Sequence, residues 1–180
     1  MDRIHIVGAS GSGTSTLAAA LAARFGHAHV DTDDYYWEPS DPPFQHVRER
    51  GARTALLATA LDARPRWVLS GSLCGWGDVF IRRFELVIFL AVPSDVRMAR
   101  LRARERVRYG AAVDPGGAMH QTSTEFLDWA ARYDEAGMEI RSRQLHEAWL
   151  AALPCPTFRL EGLATVDEHM ALVAERLGAR

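Results

Sequence analysis

The sequence predicts an α/β fold: a three-layer doubly wound sandwich around a five-stranded parallel sheet. Three observations lead there. Strand-like apolar runs alternate with helical stretches along the whole chain. The run Leu86 to Val92 is apolar at every position, as a strand covered on both faces of a parallel sheet has to be. Residues 8 to 16 place three glycines between the first strand and the first helix, where backbone N–H groups can converge on an anion.

Each element can be justified in turn. Ile4 to Val7 is a short apolar run suited to a buried strand, and Thr14 to Arg24 is alanine- and leucine-rich, with Leu17, Leu21 and Phe25 on one helical face. Ala28 to Val30 forms a second strand that ends in Asp31-Thr32-Asp33-Asp34. A proline-rich stretch from Glu38 to Phe44 leads into a helix over about Val47 to Ala63, and Trp67 to Leu69 is a third strand ending in Ser70-Gly71-Ser72. Leu86 to Val92 is the fourth strand and is expected at the centre of the sheet. Pro93-Ser94 starts a helix to about Arg108, followed by a glycine-containing loop from Gly110 to Gln121. Thr122-Ser-Thr-Glu125 has the form of a capping box for a long helix reaching Leu153, with Gly137 as a point of weakness. Thr157 to Leu160 is the fifth strand, and Thr165-Val-Asp-Glu168 caps the last helix.

Composition narrows the function. The chain has 180 residues and a formal net charge of -2, so one domain spanning 1–180 is expected, with no basic field of the kind that marks a nucleic-acid partner. It shows no signal peptide and no apolar run long enough for a membrane, which makes the cytoplasm the expected compartment. Two cysteines and seven histidines show neither a disulfide framework nor paired metal-ligand spacing.

The segment Gly8-Ala9-Ser10-Gly11-Ser12-Gly13-Thr14-Ser15-Thr16 matches the phosphate-binding pattern G-x-x-x-x-G-K-[ST] at all but one position. Thr14 stands where lysine is required. Lysine is absent from the entire chain, all 21 basic residues being arginine. A bias toward arginine would put arginine at 14; threonine is different chemistry, a neutral hydroxyl in place of a mobile cation. A dinucleotide fingerprint fits less well, since Thr16 occupies the third glycine position, although Asp31 lies roughly where a ribose-binding acid would. The spacing of a nucleophile elbow fails outright. A glycine turn without a ligand is the remaining alternative.

Taken with Asp33-Asp-Tyr-Tyr-Trp37-Glu-Pro39, the loop makes the chain resemble the small P-loop kinases, among them adenylate, shikimate and gluconate kinases. It is most similar to the adenylate-kinase-related proteins described as topology-modulation-like, which share a D-x-x-x-W-x-P pattern after the second strand. The resemblance implies a P-loop NTPase fold with a lid over about 104–122 and an acceptor-binding region over about 33–66. It further implies ATP or a related nucleotide and Mg2+ as cofactors. Asp31-Thr32-Asp33 resembles the D-x-D of shikimate-type kinases, implying that Asp31 supports magnesium together with Ser15 and that Asp33 holds the acceptor hydroxyl. Asp34, Trp37, Ser70, Gly71 and Trp76 complete the expected acceptor side. The chain also departs from the pattern at the third strand, where adenylate-kinase-like proteins carry Asp-Gly and this one has Ser70-Gly71.

The missing charge must then come from arginine or metal. Arg97, Arg100, Arg104 and Arg108 are spaced three, four and four apart, on one face of a helix. Arg100-Leu-Arg-Ala-Arg104 resembles the R-[IL]-x-x-R that introduces the adenylate-kinase lid, which makes Arg104 and Arg100 the expected catalytic cations and Arg104 a nucleotide contact. Arg132, Arg141 and Arg143 can approach the same phosphates from the helix returning from the lid. The expectation is an ATP-dependent kinase acting on a small hydroxyl-bearing or nucleotide acceptor. A nucleotide-binding regulator that kept the fold and lost the chemistry is the alternative.

Overall fold

The computed structural model describes residues 1–178. Five strands, β1 (Arg3–Gly8), β2 (Ala28–Asp31), β3 (Trp67–Ser70), β4 (Leu86–Ala91) and β5 (Thr157–Glu161), form one parallel sheet in the order β2-β3-β1-β4-β5. The doubly wound expectation holds. The centre is β1 rather than β4, which lies beside it, and β4 is nonetheless buried along nearly its whole length because helices cover both of its faces.

Side-chain alternation along the strands builds two apolar layers. Ile4, Ile6, Val68, Ile88 and Leu90 face α1 (Thr14–Phe25), where they meet Leu17 and Leu21, and α7 (Val166–Gly178), which adds Val173. Val7, Leu69, Val87 and Phe89 face the opposite layer, packing with Leu57 and Leu61 of α3 (Arg50–Asp62) and Leu150 of α6 (Arg143–Ala151). A four-residue helix, α2 (Asp33–Tyr36), follows β2 directly, and α4 (Ser94–Tyr109) packs on α5 (His120–Ala131) across the segment expected to be a lid. No described helix is long and apolar enough to cross a membrane.

Several boundaries differ from those read in the sequence, each for a tertiary reason. The helix expected from Val47 begins at Arg50, because Val47 pairs with Trp37 as an isolated bridge and Glu49 caps Ala52 N at 2.9 Å. The long helix expected over Thr122–Leu153 is two helices. Asp134, between them, accepts from Arg97 Nη2 at 2.6 Å and Arg143 Nη2 at 2.6 Å, while Ser142 caps α6 and donates to Gly137 O. The capping box at 122–125 is not used: α5 starts at His120, Ser123 donates to Glu105 Oε2 and Glu125 accepts from Gln121. The one at 165–168 forms reciprocally, Thr165 N donating to Glu168 Oε2 and Glu168 N to Thr165 Oγ1.

Two histidines are fully buried in the α3/α6 layer. His5 Nδ1–H donates to Leu69 O at 3.1 Å, and its ring stacks on Phe84. The His146 ring nitrogens meet Ser72 Oγ at 3.1 Å and Tyr133 Oη at 2.8 Å. Burial holds the two imidazoles down at about 4 and about 3, with Arg141 and His5 lowering His146 further. A histidine neutral in the fold and protonated in the unfolded chain below about 6.5 adds stability that disappears as pH falls through that value. Going from pH 7 to pH 5 should therefore remove about 4 kcal/mol of unfolding free energy, on the order of 1.4 kcal/mol per unit per group. Urea titrations measure the loss. Imidazole proton shifts of His5 and His146 should stay flat over the same range.

Candidate functional site

The site lies at the carboxyl ends of the strands, where β1 turns into α1. Gly13 takes φ 98° there, a left-handed conformation that lets the chain enter α1 with its first amides pointing into the cleft. No side chain caps α1 and its first turn holds no acidic residue, so those amides have no partner from the protein's own side chains. Gly11, at φ +81°, passes so close to α4 that a β-carbon would come within 2.7 Å of Arg97 O. Thus Gly11 is required by packing as well as conformation. Gly8, Ala9, Ser10, Ser12, Thr14 and Thr16 occupy the loop and first helical turn as expected.

Beside this loop, the carboxylate of Asp31 organises three neighbours. Ser15 Oγ donates to Asp31 Oδ2 at 2.5 Å, Ser70 Oγ donates to the same oxygen at 2.8 Å, and Asp33 N donates to Oδ1 at 3.0 Å. The parallel register sets Asp31 opposite Ser70, which puts a carboxylate from the adjoining strand beside the third-strand serine. Ser70 is fully buried, and its hydroxyl also meets His29 Nε2 at 2.9 Å. Gly71 follows at φ +103°, pressed against Thr32.

Asp33 opens α2 with its carboxyl exposed at the mouth of the cleft and protein crowding it behind. This partial burial, and then the negative charge of Asp31, raise its pKa above the ordinary 3.8; Arg141, Arg104 and Arg108 pull the other way. Asp34 is exposed, and its carboxyl is also raised, by burial and by Asp31. Trp37 packs edge-on against Tyr36 and Phe44. Trp76 is core rather than an open wall: it is 5% exposed and donates from Nε1 to Ser72 O.

The arginines divide sharply. Arg97 is buried against Asp134 and Val92 O, Arg143 also pairs with Asp134, and Arg132 pairs with Glu139, so these three hold the fold. Arg100 Nη1 lies 3.5 Å from Gly11 O and 3.3 Å from Ser12 O, beside the glycine loop. Arg104 does not touch the loop; its guanidinium lies 5.7 Å over Phe126, within the electrostatic reach of Asp33. Arg141 Nη2 donates to Ser10 Oγ at 2.7 Å. No motif in the sequence marks Arg53, whose guanidinium lies 4.3 Å from the Tyr36 ring centre and 5.1 Å from that of Trp76, with Nε buried and unpartnered. Its only sequence signal is its place in the region 33–66. Tyr109 donates to Pro43 O and Arg108 stacks 4.4 Å from Phe44, joining the end of α4 to the proline-rich loop.

A glycine loop, a serine at the head of α1 and an adjacent carboxylate, set at the carboxyl edge of this sheet, define a P-loop protein with a kinase-like fold. The family model described as AAA domain matches residues 4–113, and the chain belongs to that family. It is 49% identical to the uncharacterized protein YqaC of Bacillus subtilis (strain 168) over 176 residues, which cover 98% of this chain and 97% of that protein. Among solved structures, the fold is similar to shikimate kinase from Acinetobacter baumannii in complex with shikimate, at TM-score 0.56 and 15% identity, covering 99% of this chain and 94% of that one. It is likewise similar to deoxyadenosine kinase from M. mycoides with bound dATP, at TM-score 0.53 and 14% identity, covering 98% and 99% of the two chains.

Proposed function

We propose that the protein transfers the γ-phosphoryl group of ATP or a related nucleoside triphosphate to a hydroxyl of a small acceptor. The observation that carries this reading is the double use of one carboxylate: Asp31 accepts from Ser15 on the nucleotide side and from the backbone of Asp33 on the acceptor side. Asp33, tied to the same carboxylate and with its pKa raised by burial and by Asp31, suits a proton acceptor, a group that a protein which only senses nucleotide does not call for.

Amides of residues 9 to 16 hold the donor phosphates, and the free first turn of α1 adds its dipole. Asp33 accepts the acceptor's proton as its oxygen attacks. Ser15 and Asp31 present hard oxygen donors, the set that suits magnesium bound through one or two protein groups with water and phosphate completing the shell. There the ion supplies neutralisation of the β- and γ-phosphate charge. Arg53, resting against the rings of Tyr36 and Trp76, offers a cation to an acidic group on the acceptor. Shikimate and deoxyadenosine, named with the similar folds, represent anionic and nucleoside acceptors and belong first in a panel.

The competing reading, a regulator that binds nucleotide without turnover, draws on Thr14 and Ser70, each of which replaces a charged group. Two measurements separate them. ATP and ADP should each raise the melting temperature, ATP more so with magnesium, by mass action on the folded state. Magnesium-dependent ATP consumption should appear with at least one acceptor in a panel of sugars, polyol acids, nucleosides and nucleotides. Nucleotide stabilisation without consumption across the panel assigns the protein to the regulators, and no stabilisation at all removes the nucleotide.

A further inference from the structure

The kinase reading, on which the role assigned below to Arg141 rests, leaves a deficit of positive charge: Thr14 is neutral, and a P-loop lysine ordinarily meets the β- and γ-phosphates. The structure offers few free cations to fill it. Arg97, Arg108, Arg132 and Arg143 are already neutralised by carboxylates, while Arg53 lies against the rings of Tyr36 and Trp76 and Arg104 over Phe126, neither in hydrogen-bond contact with the loop. Arg100 addresses the carbonyl side of the loop, the side away from the amides that face an anion.

Arg141 differs from these in reaching a side chain of the loop. Its guanidinium lies 4.6 Å over the Trp129 ring and donates to Ser10 Oγ at 2.7 Å, while Nε is sealed from solvent without a partner. Among the described residues no carboxylate stands within ion-pair distance of it. The acid it feels most strongly is Asp33, and of the cations that offset the raised pKa of Asp33 it is the foremost. Arg141 therefore touches the third residue of the phosphate loop and lies within electrostatic reach of the acid read as facing the acceptor. A guanidinium largely withdrawn from water without a carboxylate partner is costly to keep. Its retention calls for an anion that arrives later.

We infer that Arg141 supplies the charge the phosphate loop lacks, binding the γ-phosphoryl group from the side opposite α1, with Ser10 and Trp129 fixing its orientation. In the transfer, the acceptor oxygen forms a bond to the γ-phosphorus as its proton passes to Asp33. The bond from that phosphorus to the β–γ bridging oxygen breaks, its electron pair leaving on ADP. Arg141 neutralises the equatorial oxygens throughout, the task an arginine finger performs when supplied from the same chain. Two of its donors suit two phosphoryl oxygens.

The test compares a triphosphate with a diphosphate. Calorimetry with magnesium should show Arg141→Met binding ADP within about threefold of the parent and the β,γ-imido analogue of ATP at least about tenfold more weakly; Arg141→Lys should fall between them. Turnover of ATP should fall about a thousandfold in the methionine variant, as for loss of an arginine finger. Thr14→Lys placed on Arg141→Met should recover at least about tenfold in affinity for the imido analogue, and the two changes should be non-additive. Equal weakening of ADP and the analogue, or weakening of neither, overturns the assignment, because a purely structural arginine cannot distinguish the two ligands. Should Arg141→Met melt far below the parent, Arg141→Lys and Ser10→Ala carry the same ADP-against-analogue comparison. A parent protein that binds neither nucleotide defeats the kinase reading itself, and the inference with it; a parent that binds both without the predicted split defeats the inference alone.

Discussion

Replacing Asp33 by asparagine is expected to lower turnover by at least about a hundredfold while leaving ATP affinity within about threefold, the range for loss of a positioned acid–base group. The asparagine side chain has nearly the same shape, and the backbone donation to Asp31 Oδ1 is unaffected, so the tie to Ser15 stays intact. What disappears is the proton acceptor. The environment of Asp33 gives the reaction a pH signature as well. Burial and Asp31 raise its pKa, and a base with a raised pKa is increasingly protonated as pH falls, so the acid limb of kcat/KM should lie above 3.8 and rise to a plateau toward neutrality. Asp33→Asn should erase that limb along with most of the activity. If the variant retains more than about a tenth of parental turnover, Asp33 does not take the proton.

Much of this arrangement was legible in the chain itself. The strand, glycine loop and helix at 3–25 are specified locally, by an apolar run, by glycines at fixed offsets and by alanine-rich helical sequence, and they fold as expected. The acids at 31 and 33 were legible by type and place. Their relation to Ser70 was not, because the pairing of Asp31 with Ser70 depends on parallel register between two strands 39 positions apart, for which no local signal exists. The sequence therefore shows a serine at the third strand and nothing of the carboxylate that stands beside it. In space, a carboxylate oxygen stands 2.8 Å from the serine hydroxyl.

The arginines show the same limit. Helical spacing put Arg97 with Arg100 and Arg104, and composition alone cannot tell Arg132, Arg141 and Arg143 apart. Distant acids sort them. Asp134 claims Arg97 and Arg143, Glu139 claims Arg132, and Arg141 is left facing Ser10 and Trp129. The same Asp134 sits between α5 and α6, where one continuous helix was expected; charge placement and helix termination are there a single event, fixed by partners 37 and 9 residues away.

The glycines of the loop should respond to substitution in two distinct ways, although the motif treats them alike. Gly13→Val is expected to fold and to lose at least about a hundredfold in nucleotide affinity, equivalent to about 3 kcal/mol. Around Gly13 the space is open, the nearest atom to an added β-carbon being Arg100 Nη1 at 3.9 Å, so packing does not forbid a side chain. Conformation does: at φ 98° a β-branched residue is strained, and relaxing to negative φ swings the amides at the head of α1 away from the anion they should bind. Gly11→Val should instead fail in folding, since its β-carbon would press on the Arg97 backbone oxygen at 2.7 Å and on Leu101 at 3.0 Å, driving the loop off α4. Melting temperature and nucleotide calorimetry on both variants decide the matter. A folded Gly13→Val protein with parental affinity would show that the loop does not hold phosphate, whereas equal stability losses in the two variants would show that both glycines serve packing alone.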